Sequence, residues 1–191
     1  MKERPILFSG PMVKAILEGK KTQTRRIVKP QPVYLPQFTM WGWKEAAGGG
    51  YEVCWKGDMP EAISEYCPYG RPGDHLWVRE THLVTGGGAV LYKADHPDLI
   101  SGYCRPSIHM LRQHSRITLE IVATSVQRLQ YISDTDIVAE GIDYMIEKDG
   151  SLSTTFNRQA FANLWDKING RREGCAWKNN PWVWVVDFSR I

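Results

Sequence analysis

The sequence contains no apolar run approaching the roughly 20 residues that cross a bilayer, and Met1-Lys2-Glu3-Arg4-Pro5 lacks the apolar stretch of a secretory signal. A membrane partner is therefore not expected, and the chain is placed in the cytoplasm. Cys-x-x-Cys pairs are also absent. The four cysteines, Cys54, Cys67, Cys104 and Cys175, are irregularly spaced and read as free thiols rather than a disulfide framework. With five histidines scattered along the chain, neither a metal site nor any other cofactor is expected. A dominant charge of one sign is missing too: 24 Lys and Arg against 21 Asp and Glu leave +3, so any polyanion partner must be argued from a local patch.

What remains is ordinary globular material. Its 191 residues, 42% hydrophobic and 24% charged, suffice for one core without staples. A single domain with insertions at about 30–66 and 83–103 is expected, since prolines and glycine runs such as Gly48-Gly49-Gly50 and Gly86-Gly87-Gly88 interrupt the pattern there. Ile6-Leu7-Phe8 reads as a buried strand. Ser9 then caps a helix with Pro11 in its first turn and Met12, Val13, Ile16 and Leu17 on one stripe, ended by Gly19. Thr22 to Ile27 reads as a strand. Tyr51 to Trp55 fits one strand of a hairpin, and Pro72-Gly73-Asp74 launches a strand through Glu80.

Arg116 to Leu129 is the longest strand candidate, with Ile117, Leu119 and Ile121 facing one way. Ser133 starts a short capped helix that stops at Gly141. Thr155 to Ile168 places Phe156, Ala160, Phe161, Leu164, Trp165 and Ile168 on a helical stripe, and Trp182 to Phe188 closes the chain as a strand. Many strands, short helices and no sustained strand-helix alternation predict a mainly β fold with helices (α+β), antiparallel for the most part.

The local patch is Lys20, Lys21, Arg25 and Arg26, four cations within seven residues. Mutual repulsion and burial lower a lysine's pKa, which would make Lys21 a usable base beside the hydroxyls of Thr22 and Thr24. In a regular strand Lys21 and Thr24 face opposite ways, so the pair works only if Lys21 belongs to the turn after Gly19. The plain alternative is a solvated basic edge strand.

Pro5-Ile6-Leu7-Phe8-Ser9 followed by Ala15-Ile16-Leu17-Glu18-Gly19-Lys20-Lys21-Thr22-Gln23-Thr24-Arg25-Arg26 resembles the signature of the ASCH family. Pro72-Gly73-Asp74 and Asp136-Ile137-Val138-Ala139-Glu140-Gly141 extend the likeness, and Arg105-Pro106-Ser107-Ile108-His109-Met110, Phe161 to Arg171 and Asn180-Pro181-Trp182-Val183-Trp184 resemble the long ASCH proteins of phages and prophages. The resemblance implies a PUA-like β-barrel that binds RNA or a nucleoside. In the small ASCH enzymes that hydrolyse the acetyl amide of N4-acetylcytidine, the catalytic lysine, threonine and glutamate match Lys21, Thr24 and Glu140.

On that reading Lys21 deprotonates Thr24, Thr24 attacks the carbonyl, Glu140 shuttles the proton to the leaving amine, and Arg26 stabilises the oxyanion or holds the base. Thr22, Arg25 and Arg26 would hold the substrate, with Arg79 and Glu80 at the same mouth. Of the eight tryptophans, Trp41, Trp43 and Trp77 are the candidate base contacts and the others read as core. Three functions stay open: an RNA- or nucleoside-binding module, an amidohydrolase on N4-acylated cytidine, and a metal-independent ribonuclease. Oligomeric state is not legible.

Overall fold

A computed structural model describes residues 1–45, 49–56, 66–99, 103–142 and 154–191. Its main sheet has five strands: β1 (Glu3–Leu7), β2 (Gln23–Ile27), β6 (His75–Arg79), β9 (Thr118–Arg128) and β10 (Trp182–Arg190), in the order β1-β6-β9-β10-β2. β1 and β6 run parallel and the other pairings are antiparallel. The fold is mainly β with helices packed around it, as the pattern predicts.

β10 is covered on both faces, which is why it reads as an almost unbroken apolar run. Trp182, Trp184, Val186 and Phe188 enter one core with Ile6, Leu76, Leu119 and Ile121. Val183 and Val185 enter a second core with Leu129, Ile137, Phe161 and Trp165. The second core is roofed by α2 (Asp134–Ala139) and α3 (Thr154–Asn169). α2 begins with a full capping box, in which Ser133 and Asp136 satisfy each other's backbone N–H groups.

α1 (Gly10–Leu17) connects the two sheet edges, β1 and β2, with Val13, Ala15 and Ile16 buried. Gly19 takes φ +73° to end it, and the N–H groups of Lys20 and Lys21 both donate to Ala15 O, at 2.9 and 3.0 Å. Lys21 thus belongs to the turn and precedes the strand, the condition that a site containing both Lys21 and Thr24 requires.

The stretch expected as an insertion at about 30–66 folds onto the main core. β3 (Val33–Leu35), β4 (Met40–Glu45) and β5 (Tyr51–Trp55) form an antiparallel sheet whose Trp43, Val53 and Trp55 join the first core. Trp43 meets Trp184 edge-on at 6.0 Å, and Trp55 meets Trp182 at 6.3 Å. Residues 46–48 and 57–65 of this stretch, and 100–102 of the second, lie outside the described residues. β7 (His82–Val84) and β8 (Val90–Tyr92) form the hairpin around the triple glycine.

Among the described residues the edges β1 and β2 share no backbone ladder. A side chain bridges them instead, with Arg26 Nη2 donating to Leu7 O at 2.8 Å. The sheet is therefore barrel-like with an open seam, and the candidate site lies along it. No helix among the described residues is long and apolar enough to cross a membrane.

Candidate functional site

Gly141 sets up the first part of the site. With φ +79°, it brings the end of α2 so close to the turn that a Cβ there would stand 2.9 Å from both Ala15 Cβ and Lys21 Cβ. The Lys21 ammonium consequently reaches Glu140 Oε2 at 2.7 Å, Glu140 O at 2.8 Å and Gln23 O at 2.7 Å. Arg25 approaches Glu140 Oε1 at 3.4 Å and Asp136 Oδ2 at 3.1 Å, and also bonds Gln23. Lys21, Arg25 and Glu140 are all buried.

Burial pushes the Lys21 pKa below the ordinary lysine range; the Glu140 carboxylate opposes that shift, while Arg26 and Arg25 add to it. Three acceptors around one Nζ match the three protons of an ammonium, so the geometry holds Lys21 charged. Burial raises the pKa of Asp136, but hydrogen bonds from Ser133 and Gln23 and the Arg25 charge outweigh it and leave the carboxyl below its usual value. The cluster is closed: each charge is already answered by another.

The second part is a cleft of about 660 Å³ along the seam. Pro5, Ile6 and Leu7 line it from β1, Arg25, Arg26 and Ile27 from β2, and Ile168 and Asn169 from the end of α3. Lys29 and Arg172 add two exposed cations, while Trp43, Tyr66, Tyr69 and Trp184 add aromatic surface. Among the described residues no Asp or Glu lines it. A recess of about 30 Å³ shares Arg25, Arg26, Ile168 and Asn169 with the cleft and extends to Thr24 and Glu140 between Phe161, Leu164 and Trp165.

The structure thus brings Lys21, Glu140 and Arg25 into one cluster, with Thr24 on the recess beside Glu140 and Arg26 bridging the seam. Thr24 makes no side-chain hydrogen bond to Lys21 or to another described residue, and its hydroxyl, which is not fully enclosed, stays open to the recess. Thr22 is exposed and lies outside the cleft; its backbone links Ala139 and Phe188. Arg79 lies over Trp77 at 4.7 Å and donates to Ile108 O at 3.3 Å. Glu80 is buried in a bidentate pair with Arg116, at 2.9 and 3.1 Å. Neither Arg79 nor Glu80 lines the cleft or its recess.

Of the three candidate tryptophans only Trp43 lines the cleft, as a buried wall rather than an open platform. Trp41 is half-buried against Trp55 and Trp182. Sequence reading misses Lys29, Arg172, Tyr66, Tyr69 and Asn169, and takes Trp184 for core alone. One signal was present: Phe161, Trp165 and Asn169 share a stripe at i, i+4 and i+8, so Asn169 is a polar residue on an apolar face.

No family model and no curated protein matches the chain. Among solved structures it is similar to an ASCH domain from Lactobacillus crispatus JV V101, at 11% identity and TM-score 0.45 over 99% of this chain and 79% of that one.

Proposed function

We propose that the seam cleft binds single-stranded RNA or a nucleoside, as the sequence resemblance to the ASCH family suggests. The observation that carries this reading is the lining: the exposed cations Lys29 and Arg172, with Arg26 beside them, four aromatic rings and, among the described residues, no carboxylate. Cations answer phosphates, and aromatic faces stack bases of any sequence. The volume lies within the range of sites that enclose one small ligand, so one nucleotide enters the cleft while its neighbours run along the seam. Tyr66, which is exposed, is the platform, and Lys29 and Arg172 are the phosphate contacts. The direct test is fluorescence anisotropy with a labelled single-stranded RNA and the matching duplex. Binding of the single strand, weakened by rising salt, is expected; equal binding of the duplex, or none of either, contradicts the reading.

A second reading, amide hydrolysis of an N4-acylated cytidine, is favoured by the Thr24 hydroxyl and the Glu140 carboxylate sharing one recess. In it Thr24 is the nucleophile, Lys21 its base and Glu140 the proton shuttle, with Arg26 near the developing charge. The three bonds on Lys21 Nζ weigh against it as a base. Its test is release of cytidine from N4-acetylcytidine by the intact protein and by Thr24→Val. Turnover lost in the variant supports hydrolysis; no turnover by the intact protein removes it. Ribonuclease chemistry has no observation of its own to favour it.

A further inference from the structure

A polar side chain on a cavity wall that makes no bond within the protein keeps its donors and acceptors for water or a ligand. Asn169, the last residue of α3, is 8% exposed and stands where the cleft and the recess meet. Its backbone carbonyl accepts from Arg172 N at 2.9 Å, while its side-chain amide makes no hydrogen bond to a described residue and stays open to the cavity instead of being fully enclosed. Thr24, 2% exposed, lines the same recess, and its hydroxyl likewise makes no hydrogen bond to a described residue while remaining open to the recess. Their neighbours there, Phe161, Leu164, Trp165 and Ile168, offer no polar side-chain atom except the indole N–H of Trp165, which donates to Cys175 O at 2.8 Å.

The charged groups nearby are engaged. Glu140 is held by Lys21 and Arg25, and Arg26 donates across the seam. The unanswered hydrogen-bonding capacity at this junction is therefore one amide, with two donors and an acceptor, and one hydroxyl.

We infer that Asn169, with Thr24 behind it, reads the hydrogen-bonding edge of a nucleobase inserted edge-first between the cleft aromatics. Asn169 is a specificity-determining residue for the ligand of the proposed function, on which this inference rests. An Asn amide pairs in bidentate fashion with a base edge that presents a donor beside an acceptor, the geometry by which Asn recognises adenine. The Thr24 hydroxyl meets whatever exocyclic group enters the recess. At about 30 Å³ the recess holds a substituent of one or two heavy atoms and excludes a second ring. The cations and rings of the cleft bind every nucleotide alike, so discrimination falls to this pair.

The experiment measures the affinity of wild type, Asn169→Ala, Asn169→Asp and Arg172→Ala for four labelled RNA oligonucleotides that differ only in the central base. Wild type is expected to prefer its best base over its worst by roughly 5- to 150-fold, the range for one bidentate contact. Asn169→Ala flattens that preference towards unity, and Asn169→Asp, which keeps the shape and loses the donors, moves it towards guanine, whose edge offers two adjacent donors. Arg172→Ala weakens all four equally. A ranking unchanged in both Asn169 variants, or a wild type that binds all four with equal affinity, overturns the inference and leaves the binding function standing. A wild type that binds none overturns both. As a control against misfolding, the side-chain amide resonances of Asn169 in the unaltered protein should shift when the preferred RNA is added; resonances that stay put count against the assignment.

Discussion

Arg25 and Arg26 are neighbours on β2, yet they belong to two different kinds of electrostatic environment. Arg25 belongs to the closed cluster: it bridges Asp136 at 3.1 Å and Glu140 at 3.4 Å, and Lys21 holds the other Glu140 oxygen at 2.7 Å. Arg26 faces the seam, where Lys29 and Arg172 stand among aromatic rings and, among the described residues, no acidic side chain lines the wall. The first arrangement is complete and the second is open. A buried charge that is fully bonded has nothing left to offer a ligand, and its removal leaves a partner stranded. A row of like charges repels itself until an anion arrives. The difference teaches that Lys21 and Glu140 lock α2 onto the turn, while the open seam is where the proposed binding takes place.

The sharpest break of this comparison is Glu140→Ala. It leaves the Lys21 ammonium and Arg25 buried without their carboxylate, and a loss of about 3 to 5 kcal/mol of stability is expected in urea unfolding. A loss under about 1 kcal/mol would mean that the cluster is not structural. Tyr66→Ala is the next largest effect: about 1 to 3 kcal/mol of RNA affinity should go, as for other stacked bases, with a smaller loss of stability from its edge-on contact with Trp43 at 5.7 Å.

A third buried polar group tests the contrast from a neutral side. His82 is 0% exposed, its Nδ1 lies 3.2 Å from Glu80 O, and its Nε2 has no partner among the described residues. Burial lowers its pKa below 6.5, with the nearby charges of His114 and Arg105 acting the same way and the Glu80 carbonyl opposing. The folded chain thus favours neutral His82. Its contribution to stability is intact above about pH 6.5 and is lost as pH falls below that value. His82→Phe should reduce this pH dependence, as measured by thermal unfolding between pH 7.5 and 5. Lys29→Ala is the smallest effect, a loss of affinity without a change in base preference.

The elements were legible where one physical cause acts locally. β1, α1 and the closing strand follow from apolar periodicity, and the turn at Gly19 and the capping box at Ser133 from single residues with specific backbone roles. The approach of Lys21 to Glu140 was reached through family resemblance, because 119 residues of chain separate the two and periodicity carries no distance information. Arg79 and Glu80, expected beside that pair, lie away from the cleft; Glu80 is engaged by Arg116, which the sequence cannot pair with it. The seam itself was illegible. It depends on β1 and β2 being the two edges of the sheet, and on the stretch about 30–66 folding back so that Trp43 and Tyr66 wall the gap.

The central claim is that Lys29 and Arg172 meet phosphates in this seam. It is tested most directly by the salt dependence of single-stranded RNA binding for the wild type and for Lys29→Ala combined with Arg172→Ala. Each phosphate neutralised contributes about 0.7 to the slope of log affinity against log salt. The account predicts a slope shallower by about 1.4 in the double variant, with an unfolding midpoint close to that of the wild type. Equal slopes for the two proteins would contradict it.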